Sequence, residues 1–248
     1  MKLNAKSALI LSTLLVGTAA MAQTKAPEPD YTLSYNVGVT TDYRYRGLSQ
    51  SHLKPALQGG ADFAHKSGVY LGAWASTIHW IKDAGGSGNV ELDLYGGYKG
   101  TVGDLGYDVG VLTYQYPSNK LAVNANTTEL YGALTFGLVT AKYSHSVTNL
   151  FGFANSKNSS YLEAAASFDL GNGYSVAPHI GYQKVAGSGN GVYSYADFSL
   201  ATAKDFGNGL VASATLVVTD ADKALYITPG DAKFTGKTGL VLGLKYNF

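Results

Sequence analysis

The sequence predicts an all-β protein, a closed antiparallel barrel built to cross a membrane. Three observations lead there. The last nine residues, Leu240-Val-Leu-Gly-Leu-Lys-Tyr-Asn-Phe248, place Leu240, Leu242, Leu244, Tyr246 and Phe248 on one face and Gly243, Lys245 and Asn247 on the other. Successive strand residues point to opposite faces, so this is a strand with one side fit for hydrocarbon. Second, twelve segments of this kind follow one another from Tyr31 to the end of the chain. Third, only 14% of residues are charged, while Gly and Tyr number 31 and 19. A soluble domain usually carries about 25% charged residues, so much of this surface is suited to something other than water.

The chain opens with Lys2 and Lys6, an apolar run from Ala8 to Val16, and Ala20-Met21-Ala22. This is the layout of a secretory signal peptide over residues 1–22, with the mature chain beginning at Gln23. The run is shorter than the roughly 20 apolar residues a spanning helix needs, and every later stretch of that length contains Gly or charge. Residues 23–30, with Pro27 and Pro29, read as an extended lead-in, and residues 31–248 as the barrel.

Its strands are expected at 31–42, 54–64, 69–79, 90–100, 105–116, 128–137, 139–149, 160–170, 174–184, 194–206, 210–219 and 238–248. Gly, Asn, Asp and Ser punctuate them. Connections after the even-numbered segments are brief, as in His65-Lys66-Ser67-Gly68, Gly171-Asn172-Gly173 and Gly207-Asn208-Gly209. Those after the odd-numbered ones run longer, up to 220–237. Outer-membrane barrels have short periplasmic turns and longer outer loops, and an even strand count brings both termini to the periplasm. The expected location is therefore the outer membrane of a Gram-negative bacterium. The expected partners are outer-membrane lipid, small hydrophilic solutes or ions in the lumen, and the barrel-assembly machinery through the strand ending at Phe248.

The faces follow strand by strand. Leu33, Tyr35, Val37 and Val39 oppose Ser34, Asn36, Gly38 and Thr40, and Val90, Leu92 and Leu94 oppose Glu91, Asp93 and Tyr95. About eleven residues tilted by about 40° rise roughly 27 Å, enough for an outer-membrane span. Twelve strands make a cylinder on the order of 24 Å across, leaving at most a narrow lumen. Tyr35, Tyr98, Tyr143, Tyr182, Tyr246 and Phe248 read as interfacial girdle residues.

Candidate functional residues lie on the inward face. Glu91, Glu129, Glu163 and Asp197 recur at intervals of 38, 34 and 34 near the outer ends of every second strand, with Asp93 one pleat below Glu91. Together they predict an acidic arc in the lumen. It either biases a pore toward cations or holds a folded-in basic loop; a structural salt-bridge network is the alternative. Arg44 and Arg46 in the first outer connection are the expected basic counterparts, with Lys54 next. Asp42 and Arg44 share parity at the end of the first strand. With Arg46 they suggest a charged constriction, or else an ion pair that anchors the loop.

Other chemistry finds little support. Cysteine is absent, so disulfides and thiolate chemistry are excluded. The formal charge of +1 argues against nucleic acid. His52, His65, His79, His145 and His179 lack metal-ligand spacing, so the sequence predicts neither metal nor cofactor. His145, on the lipid-facing parity, is the one residue inviting comparison with a barrel phospholipase, and rim polarity explains it as well. No catalytic residue is expected. The reading is a porin-like diffusion channel. The alternatives are a plugged structural or adhesion barrel acting through its outer loops, and a lipid-modifying barrel enzyme.

One stretch carries a family resemblance. Asn36-Val-Gly-Val-Thr-Thr-Asp-Tyr-Arg-Tyr-Arg-Gly-Leu-Ser-Gln50, Lys54-Pro-Ala-Leu-Gln-Gly-Gly60, Ser67-Gly-Val-Tyr-Leu-Gly-Ala-Trp-Ala-Ser76 and Glu91-Leu-Asp-Leu-Tyr-Gly-Gly-Tyr-Lys-Gly100 resemble the TorF family of porins, also described as Gcw_chp conserved hypothetical outer-membrane proteins. The likeness continues to Tyr114-Gln-Tyr-Pro117, and its most specific part is Asp42-Tyr-Arg-Tyr-Arg-Gly47. It implies an outer-membrane porin without assigned catalytic residues.

Overall fold

A computed structural model describes residues 29–248, so the signal peptide and most of the lead-in lie outside the described residues. The barrel strands are β1 Tyr31–Thr40, β2 Ala56–His65, β3 Val69–Thr77, β4 Val90–Val102, β5 Leu105–Gln115, β6 Thr127–Phe136 and β7 Val139–Ser146. They continue as β8 Ser160–Ala166 with its extension Phe168–Gly171, β9 Tyr174–Lys184, β10 Tyr195–Asp205, β11 Leu210–Thr219 and β12 Gly239–Asn247. Each pairs antiparallel with its chain neighbours. Pairing of β1 with β12, in register Val39↔Leu244, closes the cylinder, so no sheet edge is left to bind another chain.

The alternation read from sequence is the alternation of exposure. Leu33, Val37, Leu94, Leu130, Leu134, Leu162, Leu240 and Leu242 stand exposed, whereas Ser34, Glu91, Asp93, Glu129, Glu163 and Asp197 are buried. A barrel in water would hide the first group; this one presents them outward as a lipid-fit surface. Both β1 and β12 have their terminal ends at the short-turn end, where the Phe248 amide donates to the Tyr35 carbonyl. Tyr31, Tyr98, Phe136, Tyr174, Tyr246 and Phe248 crowd the outside there, forming one aromatic belt.

The unusual Gly and Tyr content has a structural cause inside the lumen. One row across four strands reads Tyr70, Gly97, Gly110, Tyr131. The two tyrosines lean toward each other over the glycines until their hydroxyls meet, and Tyr70 also donates to Asp108 at 2.5 Å. A Cβ at Gly97 would fall inside contact distance of the Val109 carbonyl and 2.5 Å from the Tyr70 hydroxyl. Gly97→Val therefore destabilises the barrel by about 1–3 kcal/mol through overpacking. Urea titration of the lipid-folded protein checks this, and an unchanged midpoint would refute the slot.

Two features depart from the expected layout. β1 stops at Thr40, two residues before its expected end, because the chain turns inward at Thr41. The first long connection does not stay outside. It folds into a two-residue hairpin, Arg44–Tyr45 against Leu48–Ser49.

Candidate functional site

The hairpin turns at Arg46 and Gly47, whose φ values of 46° and 80° are both positive. Two residues with positive φ make the tight turn whose twist matches a hairpin, and Gly at the second position accepts that conformation without a Cβ penalty. Closeness reinforces the choice, since a Cβ on Gly47 would lie 2.8 Å from the Asp197 Cβ on β10. The hairpin tip is therefore pressed against β10 of the barrel wall.

From that tip Arg46 reaches Glu129 on β6 with two parallel bonds, Nη1 to Oε1 at 3.0 Å and Nη2 to Oε2 at 2.7 Å. Nη1 also donates to Gln183 Oε1 on β9 at 2.6 Å. The guanidinium lies 4.3 Å from the Tyr161 ring centre and 4.9 Å from that of Tyr45. The two side chains of the ion pair are 6% and 1% exposed. A buried pair tolerates desolvation only when its geometry is good and its remaining donors are satisfied, and the fork-to-fork contact with Gln183 and two aromatic faces meets both conditions.

The other carboxylates are occupied differently. Glu91 accepts from the Tyr43 hydroxyl at 2.6 Å. His179 lies between Glu163 at 3.1 Å and Asp197 at 3.5 Å. Lys142 approaches Glu163 at 3.8 Å, and Tyr161 donates to Asp197 at 2.8 Å. Asp93 is buried, and its Oδ1 has no hydrogen-bond partner among the described residues.

Asp42 and Arg44 work within the loop. Asp42 pairs with the Arg44 Nε and accepts from Ser49 at 2.6 Å and Ser51 at 3.1 Å. Arg44 donates onward to the carbonyls of Gly47, Thr235 and Lys237 at 3.0, 3.1 and 2.9 Å. This binds the first long loop to the last. Lys54 departs from its expected role: it is exposed and joins no ion pair among the described residues. The turn Ser51–Lys54, closed by the Lys54 amide on the Ser51 carbonyl, carries it away from the carboxylates.

Sequence reasoning missed two groupings. The first is a hydrophobic core within the long-loop half of the barrel, where Tyr43, Ile78, Ile81, Tyr114, Tyr116 and Ala125 are buried with Tyr45, Trp74, Trp80, Leu121 and Phe151 packed against them. Ile81 is 0% exposed. The signal was available, because Ile78, Ile81, Leu121 and Phe151 are poor residues for solvated loops. The second is a cluster of His52, His79 and Asp83. His79 and Asp83 are four residues apart, a local spacing, but His52 lies 27 and 31 positions from them and gave no signal. Asp231 joins this cluster from the last loop, and the Thr228 hydroxyl, donating to it at 2.5 Å, holds its carboxyl below the usual carboxylate range. His145 is part-buried at the outer rim, bonded to Tyr143 and Asn158 at 3.3 Å each.

A closed twelve-stranded cylinder with an apolar exterior, a polar interior and a loop folded into its lumen defines the class of outer-membrane-type porin barrels. The chain belongs to the Gcw_chp family, described as a bacterial protein of unknown function, which matches residues 24–248. Among solved structures it is similar to the NanC porin, with a TM-score of 0.55 at 9% identity over 88% of this chain and 99% of that one. It is also similar to the KdgM porin in complex with disordered oligogalacturonate, with a TM-score of 0.53 at 8% identity over 87% and 98%. At such identities the likeness concerns the fold. No curated protein matches the sequence.

Proposed function

We propose that the protein is a non-enzymatic outer-membrane channel for small hydrophilic solutes or ions, its short-turn end in the periplasm and its passage constricted by the first long loop. The observation that carries this reading is the Arg46–Glu129 pair. It stands buried near the outer mouth of the lumen, where it joins the wall to a loop, and so forms a constriction that can move without breaking a strand. Below it, Tyr70, Tyr95, Tyr131 and Lys245 are only part-buried, consistent with a solvated vestibule.

The solute class follows from charge. Glu129, Glu163 and Asp197 outnumber the fixed cations Arg46 and Lys142 by one, and Glu91 and Asp93 have no cation partner among the described residues. A polyanion such as the oligogalacturonate held by the KdgM porin would meet uncompensated carboxylates here, so neutral or cationic solutes fit better. In planar bilayers across a salt gradient, the wild type is expected to show a cation-biased reversal potential. Glu129→Gln/Glu163→Gln is expected to move it toward zero, and an unmoved potential would end the selectivity claim.

A second reading, a sealed barrel that acts through its outer loops, draws on the aromatic core around Ile81. It predicts no conductance from the wild type or from variants that release the hairpin.

A further inference from the structure

We propose that His52, His79 and Asp83 form a binding site for a single divalent transition-metal ion of the zinc type, with Asp231 orienting His52 from behind. Asp83 presents one oxygen to each ring: Oδ2 lies 2.9 Å from His52 Nδ1 and Oδ1 lies 2.8 Å from His79 Nδ1. All three ligand atoms fall within 4.8 Å of one another. In a tetrahedral zinc site, ligand atoms about 2.0–2.2 Å from the metal stand about 3.3 Å apart, so the Asp83 contacts would widen slightly and the more distant ligand atoms would draw together.

The contacts of the His52 ring are compatible with a metal at Nδ1. His52 has a carboxylate on both ring nitrogens, Asp83 on Nδ1 and Asp231 on Nε2 at 3.0 Å. A neutral imidazole has one N–H. With a metal on Nδ1, Nε2–H donates to Asp231; without one, Nδ1–H donates to Asp83 and Nε2 faces the Lys233 ammonium at 3.3 Å. Asp231 then plays the orienting part that carboxylates play behind metal-bound histidines. Lys233 lies 2.9 Å from Asp231 and 3.3 Å from His52 Nε2, on the ring side away from the metal position. The mix of two imidazoles and a carboxylate suits zinc, cobalt or nickel better than calcium or magnesium. The His52 side chain is 8% exposed while that of His79 is 40% exposed, so the site has a fixed inner ligand and an open side for entry and for water as a fourth ligand.

The ligands come from two long loops and the orienting Asp231 from a third. Gln50, two residues before His52, accepts the amides of His79 and Trp80 at 2.8 and 3.1 Å. A metal ion here would pin the loop that carries Arg46.

The test uses tag-free, chelator-treated protein folded in detergent, titrated calorimetrically with Zn²⁺ alone, and with Co²⁺ followed by its visible absorption. Wild type and His145→Ala are expected to bind one ion per chain. His79→Ala, a substitution at a half-exposed ring that leaves no buried cavity, is expected to lose at least tenfold in affinity, and Asp231→Asn between ten- and a hundredfold. Asp83→Asn provides an independent ligand variant, and heat-modifiable migration on gels confirms that each barrel is folded. Absence of saturable binding to the wild type, or His79→Ala and Asp83→Asn both binding as the wild type does, would overturn the site.

Discussion

Arg46→Ala is expected to raise single-channel conductance and to cut the stability of the folded barrel by about 3–5 kcal/mol, the range for removing one partner of a buried ion pair. The loss arises from what remains. Glu129, 1% exposed, keeps its charge beside Tyr114, whose hydroxyl donates to it at 3.3 Å, with no cation to offset burial. The hairpin tip also loses its bond to Gln183 and its stack on Tyr161, so the loop detaches from the wall and water enters. Such hydration favours the lower end of the range. Arg46→Ala/Glu129→Gln removes the stranded charge and should recover much of the stability while keeping the larger conductance. Urea titration in lipid and bilayer recording check the two effects separately. A double variant no more stable than the single one would show that the pair contributes packing rather than charge.

The wall of the barrel was legible because its signal is local. Alternation over ten residues, as in Leu33 to Thr40, reports a strand between lipid and lumen without knowledge of any partner. The alternating short and long connections give the order of the hairpins, and the strand limits in the structure lie within a few residues of those read from the chain. The contents of the lumen were less legible because they depend on which residues meet through space. Glu129 and Arg46 are 83 positions apart, and their meeting requires the stagger of six strands and a loop that turns inward. The turn had a local signature, Arg46-Gly47 between alternating Tyr45 and Leu48, a two-residue hairpin connection with Gly in the second place. His52 and Asp231, 179 positions apart, had none. The early end of β1 follows from the same cause: Asp42 accepts hydroxyls from Ser49 and Ser51, contacts available only after the chain has doubled back.

Leu242→Arg is expected to destabilise the lipid-folded barrel by about 2–4 kcal/mol, the figure for arginine on the lipid face near the bilayer midplane. Leu242 stands in the middle of β12, opposite Ala214 of β11, exposed beside Leu240 and Leu244. In hydrocarbon its guanidinium would have to reach an interface along the strand, and the nearest outward neighbours in that direction are leucines. The matching control is Ser213→Arg, one residue along β11 from Ala214. Period-two alternation turns that position to the lumen, where Gly243 opposite leaves it room and where Lys245 already sits two residues along β12. The lumen variant should lose far less than the lipid-facing one in urea titrations in vesicles. In detergent alone the gap between the two should narrow, because micelles yield to a snorkelling side chain more readily than a bilayer of fixed thickness. Equal losses at the two positions would mean that the faces are not divided between hydrocarbon and water, and the membrane-spanning reading of the barrel would fail with them.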